Sequence, residues 1–170
     1  MYQLLIKFLL ILVLLCCSVS IGILISNHFR KRKQFFNELL SFLGFSNDYI
    51  KHSNEKILSI IDKYKTTNIA FKNLLCEYKN FILNKKEKEE FLFNIREILY
   101  FLNEEEFSII NEIFLSFGEF DEVGEINKLE TSKKRIETIL KKVVSENNKF
   151  SPFFIKMSIL VGLFLFILFV

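Results

Sequence analysis

The sequence predicts an all-α protein, an antiparallel bundle of about six helices flanked by an N-terminal and a C-terminal transmembrane helix. Three observations predict it. Two uncharged apolar runs, Phe8 to Ile25 and Met157 to Val170, lie at the ends, and all 20 acidic residues fall between them. From Arg30 to Ser151 there is no Pro, little Gly and no sustained period-2 alternation, so strand signals are nearly absent. Within that stretch apolar residues recur at i, i+3, i+4 and i+7, the spacing that aligns side chains on one face of a helix.

A spanning helix needs roughly 20 predominantly apolar residues. Leu4 to Ile25 meets this directly. The second run is 14 residues after Lys156 but 21 if it starts at Phe150. The longer reading is preferred, because a Lys near a helix end can extend its stem to the headgroups, whereas one at the bilayer centre costs about 2.5–3.5 kcal/mol. The expected division is therefore a first transmembrane helix over 1–28, a cytoplasmic helical domain over 29–151 and a second transmembrane helix over 152–170. The first run reads as an uncleaved anchor: its only early charge is Lys7, and it is long enough to span, although Ser18-Val19-Ser20 is a passable cleavage site.

Orientation follows from flanking charge. His28, Arg30, Lys31, Arg32 and Lys33 come directly after the first span, and an excess of Lys/Arg marks the cytoplasmic side. Arg30, Lys31, Arg32 and Lys33 are thus expected to be a topology anchor, with both termini outside. A nucleic-acid role is not expected, since the domain beyond carries nearly balanced charge. In the spans, Ser18, Gly22 and Ser26 lie at i, i+4 and i+8, and Ser158 and Gly162 at i and i+4; small residues so spaced let helix backbones approach. Counted inward from His28 and Pro152, Gly22 and Ser158 are both six residues deep and Ser18 and Gly162 both ten. The spans are expected to pack on each other through these residues or to offer them to another protein. Cys16 and Cys17 lie within the span and Cys76 is alone in the domain, so no disulfide framework is expected.

The domain's helices follow in order. Phe36, Leu39, Leu40 and Leu43 form a stripe expected to end at Gly44. Ile57, Leu58, Ile61 and Tyr64 form a second, with Ser53 or Asn54 as its N-cap. Phe71, Leu74, Leu75, Tyr78, Phe81 and Ile82 form a third, and Phe91, Ile95, Ile98, Leu99 and Leu102 a fourth. Between Phe107 and Phe117 apolar residues occupy nearly every side, which places a fifth helix at the centre of the bundle. Gly118 suits the positive φ that closes a helix, and Asp121 with Glu122 suits the start of a sixth. That helix is expected from about Glu122 to Asn148, with Val123, Ile126, Leu129, Ile136, Leu140 and Val143 inward, leading almost directly into the second span.

Catalysis needs converging groups, and the sequence offers none. There is no GxxxxGK[ST], GxGxxG, GxSxG, HExxH or CxxC. Glu104-Glu105-Glu106 diverge by about 100° per residue around a helix and cannot share one metal ion, so they read as first-turn acids. No enzymatic activity, cofactor or metal is expected, and an interaction protein remains.

Phe117-Gly118-Glu119-Phe120-Asp121, then Glu125 and Leu129, then a long charged helix running into a terminal apolar span, resembles the stage III sporulation protein AB family. Its pattern is Leu-Gly-x-x-Asp-x-x-x-Gln-x-x-x-Ile. This chain has Phe117, Glu125 and Leu129 for the family's Leu, Gln and Ile, and Gly162 stands where the family's terminal span is rich in glycine. The resemblance covers essentially the whole chain. It implies a membrane scaffold, similar to the F-type platform domain of type II secretion, in the channel assembly between mother cell and forespore. The implied partners are a secretion-type ATPase, the sporulation protein AA, on the mother-cell side, and other membrane proteins of that assembly, with self-association left open. The implied location is the outer forespore membrane. Phe117, Gly118, Asp121, Glu125 and Leu129 would then shape a structural turn or dock a partner. The alternative is a two-span platform or regulator of a pilus-like system unrelated to sporulation.

Overall fold

The computed structural model describes the backbone of residues 2–53, 57–84, 87–118 and 121–169. Six α-helices and no strands are found among them: α1 (Tyr2–Ser53), α2 (Ile57–Lys63), α3 (Ile69–Asn84), α4 (Lys88–Ile98), α5 (Glu104–Leu115) and α6 (Glu122–Phe169). They form two compact units. One comprises Met1–Lys33 with Lys142–Val170, the other Gln34–Lys141. Helices α1 and α6 contribute to both.

The Gln34–Lys141 unit is built on phenylalanine. Phe35, Phe36, Leu39, Phe42 and Leu43 of α1 are fully buried. Phe42 lies 5.5 Å from Phe71 of α3 and 6.3 Å, stacked, from Phe114 of α5, ring centroid to centroid. Phe114 meets Tyr78 edge-on at 5.0 Å, and Tyr78 in turn lies 6.0 Å from Phe91 of α4. Such offset and edge-to-face pairs add about 0.5–1.5 kcal/mol each beyond the area they bury. The stripe on α3 faces inward through Phe71, Leu74, Leu75 and Tyr78, while Phe81 and Ile82 are half-buried.

Local chemistry sets several helix ends. Asn103 starts α5 with a capping box: its side chain accepts from the Glu106 backbone N–H at 2.8 Å, and the Glu106 carboxylate accepts from the Asn103 N–H at 3.3 Å. This satisfies two of the donors a helix N-terminus leaves open. Asn68 accepts from the Phe71 N–H at 3.1 Å ahead of α3. The expected N-cap of α2, Ser53 or Asn54, falls outside the described residues, because Asn54 and the side chain of Ser53 are not among them.

Several boundaries and faces differ from the sequence reading. Gly44 does not end a helix. It sits inside α1, which runs unbroken from the apolar N-terminal run to Ser53, because a single Gly costs a helix only about 1 kcal/mol and the buried stripe continues through Ile50. Helix α6 passes through Pro152, so Glu122–Phe169 is one helix rather than a domain helix followed by a span. Helix α4 stops at Ile98, and Leu102 of the expected fourth stripe lies beyond it, in the turn before α5. Helix α5 buries Ile109, Ile110, Ile113 and Phe114 but leaves Phe107 and Leu115 half-buried and Glu112 exposed. The centre is therefore shared with α1. Val123 is 66% exposed rather than inward. The inward line on α6 is Glu125, Leu129, Ser132 and Ile136, spaced four, three and four, the heptad spacing that keeps a seam on one side.

The Met1–Lys33 and Lys142–Val170 unit pairs the first part of α1 with the last part of α6, antiparallel. Phe29 stacks on Phe150 at 5.7 Å and on Phe154 at 6.1 Å. Arg32 is buried and pairs with Glu146 at 2.5 Å. The packing of this unit thus extends past the apolar runs into the flanking polar turns.

Candidate functional site

The expected functional residues fall into two groups, one in each unit. In the polar unit, Phe117, Gly118, Asp121, Glu125 and Leu129 surround the junction of α5 and α6. Phe117 is buried, its ring 6.2 Å from Phe42, and its carbonyl accepts from the Tyr78 hydroxyl at 3.3 Å. Gly118 has φ +84°, a left-handed conformation that any residue with a Cβ adopts at a cost. It closes the turn after α5, two residues past the C-cap Ser116 and so one residue beyond the expected C′ position. Asp121 caps α6: its side chain accepts from the Gly124 N–H at 3.1 Å and its carbonyl from the Glu125 N–H at 2.8 Å. Leu129 and Glu125 are both buried on the inward line of α6. The structure therefore gives each of these five residues a place in the turn or the core, and only Gly118 and Asp121 are exposed.

Around this junction the surface charges are organised. Glu112 of α5 accepts from Arg135 at 2.7 Å and from Lys128 at 3.1 Å, both on α6, and these two partners hold its carboxyl below the usual carboxylate range. Lys51 pairs with Glu130 at 2.8 Å and likewise lowers that carboxyl. Tyr64 donates to the Glu38 carboxylate at 3.0 Å; burial first, then that carboxylate, pushes its hydroxyl well above the ordinary phenol range.

In the apolar unit the small residues meet. Ser18 Oγ donates to the Ser158 carbonyl at 2.6 Å. A Cβ on Gly22 would run into the Ser158 side chain and come within 3.0 Å of the Phe154 carbonyl, so only glycine fits there. A Cβ on Gly162 would lie 3.7 Å from Ser18 Cβ. Ser26 and Ser151 share a hydrogen bond of 2.5 Å between their hydroxyls. Ser151 was not singled out in the sequence, because it sits at the polar edge of the second run rather than inside it. The basic cluster divides: Arg30 and Lys31 are exposed and Lys33 half-buried, but Arg32 turns inward to Glu146. The spacing Gly22, Ser26, Phe29, Arg32 puts it on the same side as the small residues, a signal present in the sequence.

Among the described residues no group of three or more His, Cys, Asp or Glu converges as a metal site would require. Cys16, Cys17 and Cys76 are free thiols. Helices α1 and α6 each contain a stretch long and apolar enough to cross a membrane.

No curated protein and no solved structure matches the chain. The family model for stage III sporulation protein AB matches residues 7–170, which takes in both apolar ends, both units and the α5–α6 turn. A membrane protein by its two long apolar helices and a sporulation protein by this match, the chain belongs to the stage III sporulation protein AB family.

Proposed function

We propose that the protein is a scaffold of the channel assembly between mother cell and forespore, and that its polar unit docks a secretion-type ATPase, the sporulation protein AA, at the mother-cell face of the membrane. ATP chemistry belongs to the partner. This chain supplies a rigid helical surface fixed to the bilayer by α1 and α6 and transmits the partner's position or motion to the membrane. The polar unit is cytoplasmic in this reading and both termini are outside, which follows from the basic flank Arg30 to Lys33. The observation that carries the proposal is the family match over residues 7–170.

Deletion of the gene in its host tests this. Sporulation is expected to stop after engulfment with vegetative growth unchanged, and a deletion strain that makes normal numbers of heat-resistant spores defeats the proposal. For topology, a reporter fused after Val170 is expected to be active outside the cytosol, and activity in the cytosol alone reverses the orientation.

A further inference from the structure

The outer face of α4 combines features that the docking proposal leaves unassigned. Its buried side is Phe91 and Ile95, continued by Leu99. On the opposite side, Glu89, Phe93 and Glu97 lie at i, i+4 and i+8, one above another on a helix. Phe93 is 65% exposed, and Tyr100, three residues past Glu97, is 64% exposed. Lone exposed apolar residues are ordinary on a protein surface. Here, however, a bare aromatic ring stands one turn from a carboxylate in both directions. The exposed acids of α4 are Glu89, Glu90 and Glu97, and Arg96 on the same helix is turned to Glu104.

The chain itself shows what such a pairing holds. Arg96, on the neighbouring side of α4, places its guanidinium 4.4 Å from the centroid of the Phe107 ring while pairing with the Glu104 carboxylate. An aromatic face with an adjacent carboxylate is a cation site on both counts, by quadrupole and by charge, and the attraction strengthens when the site is desolvated. Phe93 with Glu89 and Glu97 repeats this combination on the open surface. An anionic membrane surface is repelled by the same carboxylates.

We infer that this face of α4 receives a cationic segment of the cytosolic partner, with an Arg or Lys seated on the Phe93 ring between Glu89 and Glu97 and apolar side chains beside Tyr100. The inference rests on the docking reading and names its surface and the chemistry of its occupant.

The test immobilises the full chain in detergent-solubilised membrane and measures retention of the ATPase by wild type, Phe93→Ala, Glu97→Gln, Glu97→Lys and Ile69→Ala, the last an exposed apolar residue at the start of α3. All three positions are on the surface, so thermal unfolding of the four variants is expected to match wild type. Phe93→Ala and Glu97→Lys are expected to weaken retention at least tenfold, Glu97→Gln less, and Ile69→Ala not at all, with wild-type retention falling as salt rises. Wild-type retention by both Phe93→Ala and Glu97→Lys overturns this assignment while the docking proposal stands. If those variants instead lose self-association of the chain and keep the ATPase, the occupant is a second copy and the assignment is equally overturned. A wild-type chain that retains no ATPase overturns the docking reading and this surface with it.

Discussion

The two units of this chain are built on opposite terms. The Met1–Lys33 and Lys142–Val170 unit has eight Lys/Arg against one acidic residue, Glu146, a net charge of +7, whereas the Gln34–Lys141 unit has 15 against 19, a net charge of −4. The first closes on small residues and serine hydroxyls; the second closes on fully buried phenylalanine rings. The contrast follows from solvent. In water, burying a Phe is favourable in itself. In lipid, tails are as apolar as Leu, so helices associate through close backbone approach and interhelical hydrogen bonds instead. A nearly neutral sum of +3 for the whole chain conceals this separation.

The sharpest way to break the comparison is to truncate the aromatic core. Phe114→Ala removes a ring that meets both Phe42 and Tyr78, and is expected to cost about 3–5 kcal/mol, a large fraction of a typical domain's stability. The thermal midpoint of the full chain in detergent should fall by many degrees, and an unchanged midpoint would show that the core lies elsewhere. Gly118→Ala forces a Cβ into a left-handed backbone and is expected to cost about 1–2 kcal/mol, read in the same measurement. Space is not the obstacle there, since the nearest atom to such a Cβ is Ile57 Cγ2 at 3.9 Å.

The apolar unit should respond more weakly to loss of a polar contact. Ser26→Ala, which removes one hydroxyl of the Ser26–Ser151 pair, is expected to cost about 0.6 kcal/mol, the average measured for such bonds between membrane helices. A loss as large as that of Phe114→Ala would erase the distinction between the units. Smallest is the electrostatic change at Glu112. Its pKa is lowered below 4.5 in the folded state by Arg135 and Lys128, so its contribution is present above the unfolded value and is lost as pH falls through the lowered one. Being largely exposed, the pair is worth about 0.2–1 kcal/mol at most. Glu112→Gln should therefore slightly lower the thermal midpoint at pH 7, and the difference from wild type should shrink as pH falls below the usual carboxylate range.

The polar unit was largely legible because its helices are short and amphipathic: the stripes at Ile57 and Phe71 correspond to α2 and α3, and the acids at Glu104 open α5. What was not legible is continuity. Gly44 reads as a break and the sixth helix as ending near Asn148, yet Gly44 and Pro152 each lie within a helix of about 50 residues whose buried line continues on both sides, and that packing outweighs one unfavourable residue. Val123 read as inward because it is apolar, but the buried Glu125 and Ser132 carry the seam, and polar residues are invisible to a search for apolar periodicity. Arg32 was indistinguishable by charge from Arg30, Lys31 and Lys33; only its register with Gly22 and Ser26 marks it as turned inward.

The apolar unit closes upon itself through Ser18 with Ser158 and Ser26 with Ser151. Cysteines at Ser18 and Gly162 probe this most directly. A Cβ at Gly162 lies 3.7 Å from Ser18 Cβ, a separation suited to a disulfide, whereas Gly22 and Ser158 are too close at 2.6 Å. In a full-length chain with Cys16, Cys17 and Cys76 replaced by serine, Ser18→Cys with Gly162→Cys should oxidise to a bond within one chain, in membranes and without partners. Bonds that form only between chains, or no bond at all, would contradict the self-packed pair and assign the small faces to other proteins.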